Sequence, residues 1–454
     1  MTLRQHRGAA LFLFSFLFWL YTGTLAPYAS TISSKDLALY IGCDYPLNGD
    51  YGHFEAVFGL LTGEPKAAWE WSVVLRRILH PLLGLPFMNL FGFFLGGIFL
   101  NFLLSVGCGF LFIKFIGNKF GQKSEVLCLY LLATYTGTFY WSGMPFSYGL
   151  IVPFSLLVPI VLDRILETKK LKTFIGLALA LGVINLGYDF LPFALPTSIL
   201  LLIYLKRFSW ILPAVFFQIL PTLFVMVMVK AIWGVSPVNG NSNIYPTIVN
   251  SYLNLDFSDP NWRSSLKGLP QLLFSNFLDS NFVLLPVLYL IVVPLGFFKK
   301  WSPKQFPIDY FFLFSCFCVW LFNNAAPAYP GWQMRGTWIA RIYQPAFGIL
   351  IFGIFRSLSF FSVKNSSFFR ARNGRLISVL IGFVSLLNFV LLTQPFWRGS
   401  HLPVLWRRFY THTPNFNSYY ENLDRLGIRP LGICPAEKKS PKNWSVYLKP
   451  ENER

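Results

Sequence analysis

Apolar runs long enough to cross a bilayer recur along most of this 454-residue chain, and short charged patches separate them. A bilayer core about 30 Å thick requires roughly 20 apolar residues in a helix. Only 13% of the residues are charged, whereas a soluble domain carries roughly 25%. Lipid leaves no partner for unpaired backbone groups, so such runs form helices. The sequence therefore predicts an all-α polytopic membrane protein with about eleven transmembrane helices.

The first predicted span runs from Ala9 to Pro27, and Arg4 and Arg7 before it place the N-terminus inside. A cleaved signal peptide is the alternative interpretation of this segment. Span two lies within 87–115. The other predicted spans are centred near 124–142, 147–163, 173–189, 190–205, 209–232, 281–298, 306–322, 342–358 and 376–393. The predicted transmembrane domain is 1–395, with outer loops at 28–83, 233–280 and 323–341 and a small polar tail at 396–454.

The distribution of charge supports this topology. The predicted inner segments hold about twice as many Lys and Arg residues as the outer loops, as the positive-inside rule requires. The basic tail is discordant, and we place it outside because long segments translocate largely regardless of charge; an even number of spans would put it in the cytoplasm. The net charge of +19 lies mostly between spans, where it meets anionic lipid heads. We therefore predict membrane lipids as partners, and no nucleic acid.

Carboxylates concentrate in the predicted outer loops and outer turns such as Tyr188-Asp189, and only Glu125, Asp163, Glu167 and Asp309 lie near inner ends. No ionisable residue lies at the centre of a predicted span. Proton relays and ion-coupled transporters usually place one there. We therefore expect no buried charge within the spans, and a working site at the outer membrane face, built from loops.

Two outer segments contain the candidate site residues. The first loop ends in a predicted amphipathic interfacial helix over 73–85, which includes His80. Arginine presents fork-like donors to phosphate oxygens, and a facing carboxylate can act as general base on an acceptor hydroxyl. Alternatively, the acidic residues are turn caps and the arginines are interfacial anchors. The candidates from the first and third outer loops are Asp44, Asp50, His53, Glu55, Arg76, Arg77, Arg335 and Arg341.

This layout resembles the GT-C superfold of polyprenyl-phosphate-sugar-dependent glycosyltransferases. Three stretches are similar to segments of uncharacterised bacterial members: Asp50-Tyr51-Gly52-His53-Phe54, then Arg76-Arg77-Ile78-Leu79-His80-Pro81-Leu82, and the late outer-loop stretch from Arg335 to Pro345. The chain lacks the Trp-Trp-Asp signature of oligosaccharyltransferases, and its first loop has no Asp-x-Asp or Asp-Glu pair. The resemblance thus leaves the acceptor class open.

The resemblance implies a multi-pass protein of the bacterial cytoplasmic membrane that moves a sugar from a polyprenyl-phosphate-linked donor to a glycan, lipid or protein acceptor. Asp50 or Asp44 would be the general base, the four arginines would hold the lipid phosphate, and His53 and Glu55 would contact substrate. No cofactor is implied with certainty, and a divalent metal is left open. The alternatives are a non-catalytic protein that flips or exports a lipid-linked glycan, and a non-catalytic scaffold of the same shape.

The cysteines do not form a zinc pattern, because Cys316 and Cys318 lie in an apolar run without nearby histidine. Cys108 and Cys128 are predicted core residues. The remaining two, Cys43 and Cys434, are both predicted outside, where they either pair as a disulfide or stay as thiols.

Overall fold

A computed structural model describes residues 78–91, 93–134, 147–233, 284–300, 307–325, 344–361 and 375–384, together with the isolated positions Leu253 and Leu386. Within these ranges the chain is helical apart from short turns and contains no β-strand. The helices are α1 (Leu79–Phe91), α2 (Phe93–Phe120), α3 (Gln122–Thr134), α4 (Ile151–Glu167), α5 (Leu171–Asn185), α6 (Leu191–Tyr204), α7 (Ile211–Trp233), α8 (Leu284–Lys300), α9 (Pro307–Ala325), α10 (Phe347–Phe361) and α11 (Arg375–Val384).

The all-α prediction is confirmed for this described part of the chain. Two stretches, Phe99–Phe120 and Phe208–Met228, are long and apolar enough to cross a membrane, and six shorter apolar helices accompany them among the described residues. The described part of α1 overlaps the predicted interfacial helix and continues beyond it to Phe91. The number of spans and the GT-C-like arrangement stay predictions.

Helix α4 lies at the centre of the described bundle and packs against α2, α5 and α10. Around it, α5 packs on α7, α6 packs on α9, and α8 packs on α10. Aromatic side chains fill the interfaces, since large rings provide volume without polar atoms. Among the fully buried rings are Phe112, Phe174, Phe193, Phe312 and Phe355.

The two ends of the described bundle are formed by different elements. At one end, which we call the loop end, α1 begins at Leu79 and the turn 186–190 joins α5 to α6. This turn contains the predicted Tyr188-Asp189 connection. At the other end, which we call the lysine end, α2 finishes at Phe120, α4 finishes at Glu167 and α5 begins at Leu171.

Candidate functional site

All the candidate residues predicted from the sequence lie outside the described residues: Asp44, Asp50, His53, Glu55, Arg76, Arg77, Arg335 and Arg341. Their meeting in one cavity therefore stays a prediction. Cys43 and Cys434 also lie outside the described residues, so their pairing stays open. What the structure does describe is the point where the first loop joins the helices, because Arg77 immediately precedes Ile78.

Two hydrogen bonds fix the start of α1 at the loop end. The backbone N–H of Leu79 donates to the carbonyl oxygen of Leu186 over 3.1 Å, which ties α1 to the turn after α5. The His80 ring is buried, and its Nε2 lies 2.9 Å from Oδ1 of Asn101 on α2. Because the amide oxygen can only accept, the imidazole donates from Nε2. The first loop therefore ends at a fixed position on the bundle.

The surroundings of His80 keep its imidazole neutral. Burial lowers the pKa of His80 to about 4, and the hydrogen bond that His80 donates to Asn101 offsets only part of that effect. In the sequence, His80 stands out only as a member of the predicted interfacial helix and of the stretch from Arg76 to Leu82. Asn101 in turn sits against Gly149, where a β-carbon would overlap the amide group. Glycine at this position lets the turn before α4 approach α2 closely.

Asn185 organises the neighbouring turn. Its Oδ1 accepts from the backbone N–H of Leu191 over 2.8 Å, and its Nδ2 donates to Oγ1 of Thr222 over 3.2 Å. The ring of Tyr188 is buried, whereas Asp189 is partly exposed. Among the described carboxylates, Asp189 is the one at the loop end. The turn thus presents an acidic side chain beside the point where the first loop enters.

Besides the polar residues at the loop end, a second polar cluster lies between α8, α9 and α10. Arg356 on α10 donates from both terminal nitrogens to the carboxylate of Asp309 on α9, with the Nη2–Oδ2 distance 2.6 Å. The hydroxyl of Tyr289 on α8 donates to Asp309 Oδ2 over 2.9 Å. Asp309 is fully buried and Arg356 is 6% exposed. The prediction that the spans contain no buried charge is therefore wrong.

The two charges can be buried because they pair across helices. Asp309 lies in the first turn of α9 and Arg356 lies ten residues into α10, so each resembles an ordinary helix-end charge when the sequence is read alone. Burial of either charge by itself would be unfavourable, but the two neutralise each other through hydrogen bonds. Sequence analysis did not single out Arg356, and no linear spacing marks its partner.

A third polar cluster occupies the lysine end. Lys119 on α2 donates to Asp163 on α4, which is 4% exposed, and lies 3.5 Å from Glu167. Lys114 donates to Glu125 over 3.0 Å. These contacts join α2, α3 and α4, so the cluster is explained by helix packing. Asp163 is a further buried charge that the sequence analysis did not anticipate.

Within the described ranges, no group of three His, Cys, Asp or Glu side chains is arranged to hold a metal ion. Cys108 and Cys128 are buried, as predicted, and Cys316 is buried while Cys318 is exposed. Chemically, the loop end offers a neutral histidine, two amides and one carboxylate. Hydrogen bonds there hold the start of α1 against α2 and the turn after α5. No family model matches the chain, and no curated protein or solved structure matches it either.

Proposed function

We propose that this chain is a multi-pass membrane protein with about eleven spans and its N-terminus inside. The surface of α7 supports membrane residence. An 18-residue apolar window within Phe208–Met228 is only 17% buried, whereas the core helix of a water-soluble protein is mostly buried. Its exposed side chains are large and apolar, and a contiguous patch of this kind fits contact with lipid. Among them are Leu212, Phe216, Leu223, Phe224 and Val227.

We further propose that the protein is a glycosyltransferase that moves a sugar from a polyprenyl-phosphate-linked donor to an acceptor at the outer membrane face. The observation that supports this most directly is the anchoring of the first loop by the Leu79–Leu186 and His80–Asn101 hydrogen bonds. A catalytic loop must hold its groups in place, and anchoring at a rigid element is how proteins achieve that. In this proposal Arg76 and Arg77 bind the donor phosphate at that anchored end.

The proposal assigns the general base to Asp50 or Asp44, which precede the anchor in the same loop. A carboxylate of this kind removes the acceptor hydroxyl proton as the hydroxyl attacks the sugar carbon. The polyprenyl phosphate leaves with its negative charge, which Arg335 and Arg341 stabilise. The site needs the first and third loops to meet, and a crosslink between cysteines introduced at positions 50 and 335 tests that geometry.

The functional test is deletion of the gene, followed by complementation. We expect the deletion strain to lose a cell-envelope glycan, and the wild-type chain to restore it. Asp50→Asn should fail to restore the glycan, whereas Glu64→Gln in the same loop is the matched control and should restore it. Equal protein levels in the membrane must be checked by immunoblot. Full rescue by Asp50→Asn would remove Asp50 from the mechanism.

Export of a lipid-linked glycan without catalysis is the competing outcome. An exporter would move a fluorescent polyprenyl-phosphate sugar across proteoliposomes while leaving the glycosidic bond intact. A transferase would release free polyprenyl phosphate in the presence of acceptor. Thin-layer chromatography of the lipid products separates the two functions, because only the transferase produces the sugar-free lipid.

A further inference from the structure

A groove of about 910 Å³ lies between α2, α4 and α5, and the proposed function does not use it. Helix α4 forms its floor, since α4 packs against both of the other helices. The walls are apolar: Leu111 lines the groove from α2, Ile160 from α4, and Leu179 and Val183 from α5. Leu111 is 55% exposed and Val183 is 41% exposed. An apolar side chain left open in this way provides a surface for an apolar ligand.

One end of the groove is charged, and it coincides with the lysine end of the bundle. Lys114, Lys119 and Arg164 line it together with the carboxylates Asp163 and Glu167. Along α2, the residue that lines the groove changes from Leu111 to Lys114 within one helical turn. The groove therefore combines an apolar channel with a polar mouth, as a binding site for an amphipathic molecule requires.

Both carboxylates at the mouth form ion pairs with neighbouring cations. Lys119 contacts Asp163 and Glu167, and Arg164 lies 3.4 Å from Glu167. Lys114 is paired with Glu125 at 3.0 Å. Three cations thus balance three carboxylates. Arg164 is nevertheless 65% exposed and keeps free donors for a further acceptor.

Additional lysines make the mouth positive. Lys169, Lys170 and Lys172 lie at the start of α5 and are exposed. None of the described carboxylates lies within ion-pair distance of these three residues. Lys172 precedes the lining residue Gly176 by four residues, so it lies one turn beyond the groove lining on the same face of α5. A phosphate at the mouth would therefore meet an excess of positive charge.

We propose that the α2–α4–α5 groove binds an anionic glycerophospholipid, with an acyl chain along the apolar walls and the phosphate near Lys119, Arg164 and Lys172. Basic pockets between helices on the cytoplasmic side of a membrane favour such headgroups. The lysine end is the cytoplasmic side in the predicted topology. The inference rests on the membrane residence proposed above, but not on glycosyl transfer.

The binding test uses the full-length protein purified in detergent. Native mass spectrometry is run with phosphatidylglycerol, with phosphatidylcholine of the same acyl chains, and with inorganic phosphate. We expect phosphatidylglycerol to bind at least tenfold more tightly than phosphatidylcholine, and inorganic phosphate to give no adduct. Equal binding of the two lipids, absence of lipid binding, or binding of inorganic phosphate alone would overturn the proposal.

Charge variants test the mouth of the groove. The double variant Arg164→Gln/Lys172→Gln should lose the preference for phosphatidylglycerol about tenfold. Lys230→Gln, which changes an exposed lysine on α7, is the matched control and should keep the preference. Retention of the preference by the double variant would exclude the mouth as the headgroup site.

A space-filling variant tests the channel independently of charge. A β-carbon at Gly176 meets nothing within 4 Å, so Gly176→Leu can enter the groove without disturbing the helix. We expect it to abolish tight binding of phosphatidylglycerol. Gly107→Leu on α2 also has open space and lies outside the groove lining, so it is the control and should bind normally. Normal lipid binding by Gly176→Leu would contradict the proposal, and neither result affects the complementation test.

Discussion

Arg356 and Asp309 lie 47 residues apart in the sequence and form a two-point hydrogen-bonded ion pair that is buried between α9 and α10. The hydroxyl of Tyr289 satisfies a further acceptor position of the same carboxylate. Planar guanidinium and carboxylate groups match in this geometry, which lysine could not reproduce. The pair therefore sets how α8, α9 and α10 fit together.

We predict that Asp309→Asn lowers the free energy of unfolding by about 3–5 kcal/mol, because it leaves Arg356 charged and buried without its counter-ion. Replacement of both partners with apolar residues, Asp309→Leu with Arg356→Met, should cost much less. Thermal unfolding of the purified protein in detergent measures both variants. Equal destabilisation by the single and double variants would show that the unpaired charge of Arg356 is not the cause of the lower stability.

The same cluster predicts a steric effect at Gly353. A β-carbon there would lie 2.9 Å from Asp309 Oδ2 and would also overlap the ring of Tyr289. Gly353→Ala should therefore destabilise the protein by about 1–3 kcal/mol, although alanine is the better helix former. Gly382→Ala is the matched control, since its β-carbon meets nothing within 4 Å, and it should be neutral or slightly stabilising. Thermal unfolding midpoints of the two variants check the prediction, and equal midpoints would contradict it.

His80 predicts a dependence of stability on pH. Its pKa in the folded protein is about 4, below the ordinary value of 6.5, so the unfolded chain binds more protons between these values. The free energy of unfolding therefore has its full value, as far as His80 is concerned, above pH 6.5. It decreases by up to about 3 kcal/mol as the pH falls towards 4. Unfolding midpoints should therefore fall more steeply with acid in the wild type than in His80→Gln. Parallel pH profiles would exclude His80 as the titrating group.

Parts of this architecture could be predicted from the sequence because they depend on local pattern. Apolar runs predicted helices at 173–189 and 209–232, and the structure has α5 and α7 there. The Asp309–Arg356 pair was not predictable in the same way, because it depends on which helices become neighbours. His80 illustrates the same limit: its neutral, buried state depends on Asn101, a residue on a different helix. The candidate catalytic residues rest on side-chain chemistry and on the resemblance, and they lie outside the described ranges.

The proposed roles of carboxylate and arginine in sugar transfer predict different kinetic defects. Removal of a general base slows the chemical step, so Asp50→Asn should lower kcat by about 10²–10⁴-fold with little change in KM for the donor. If Asp44 is the base instead, Asp44→Asn gives that result and Asp50→Asn does not. Removal of a phosphate ligand weakens donor binding, so Arg335→Gln should mainly raise KM. Release of polyprenyl phosphate by the purified protein measures both constants, with Glu64→Gln as the control, and unchanged kcat in both aspartate variants would contradict the assignment of the base.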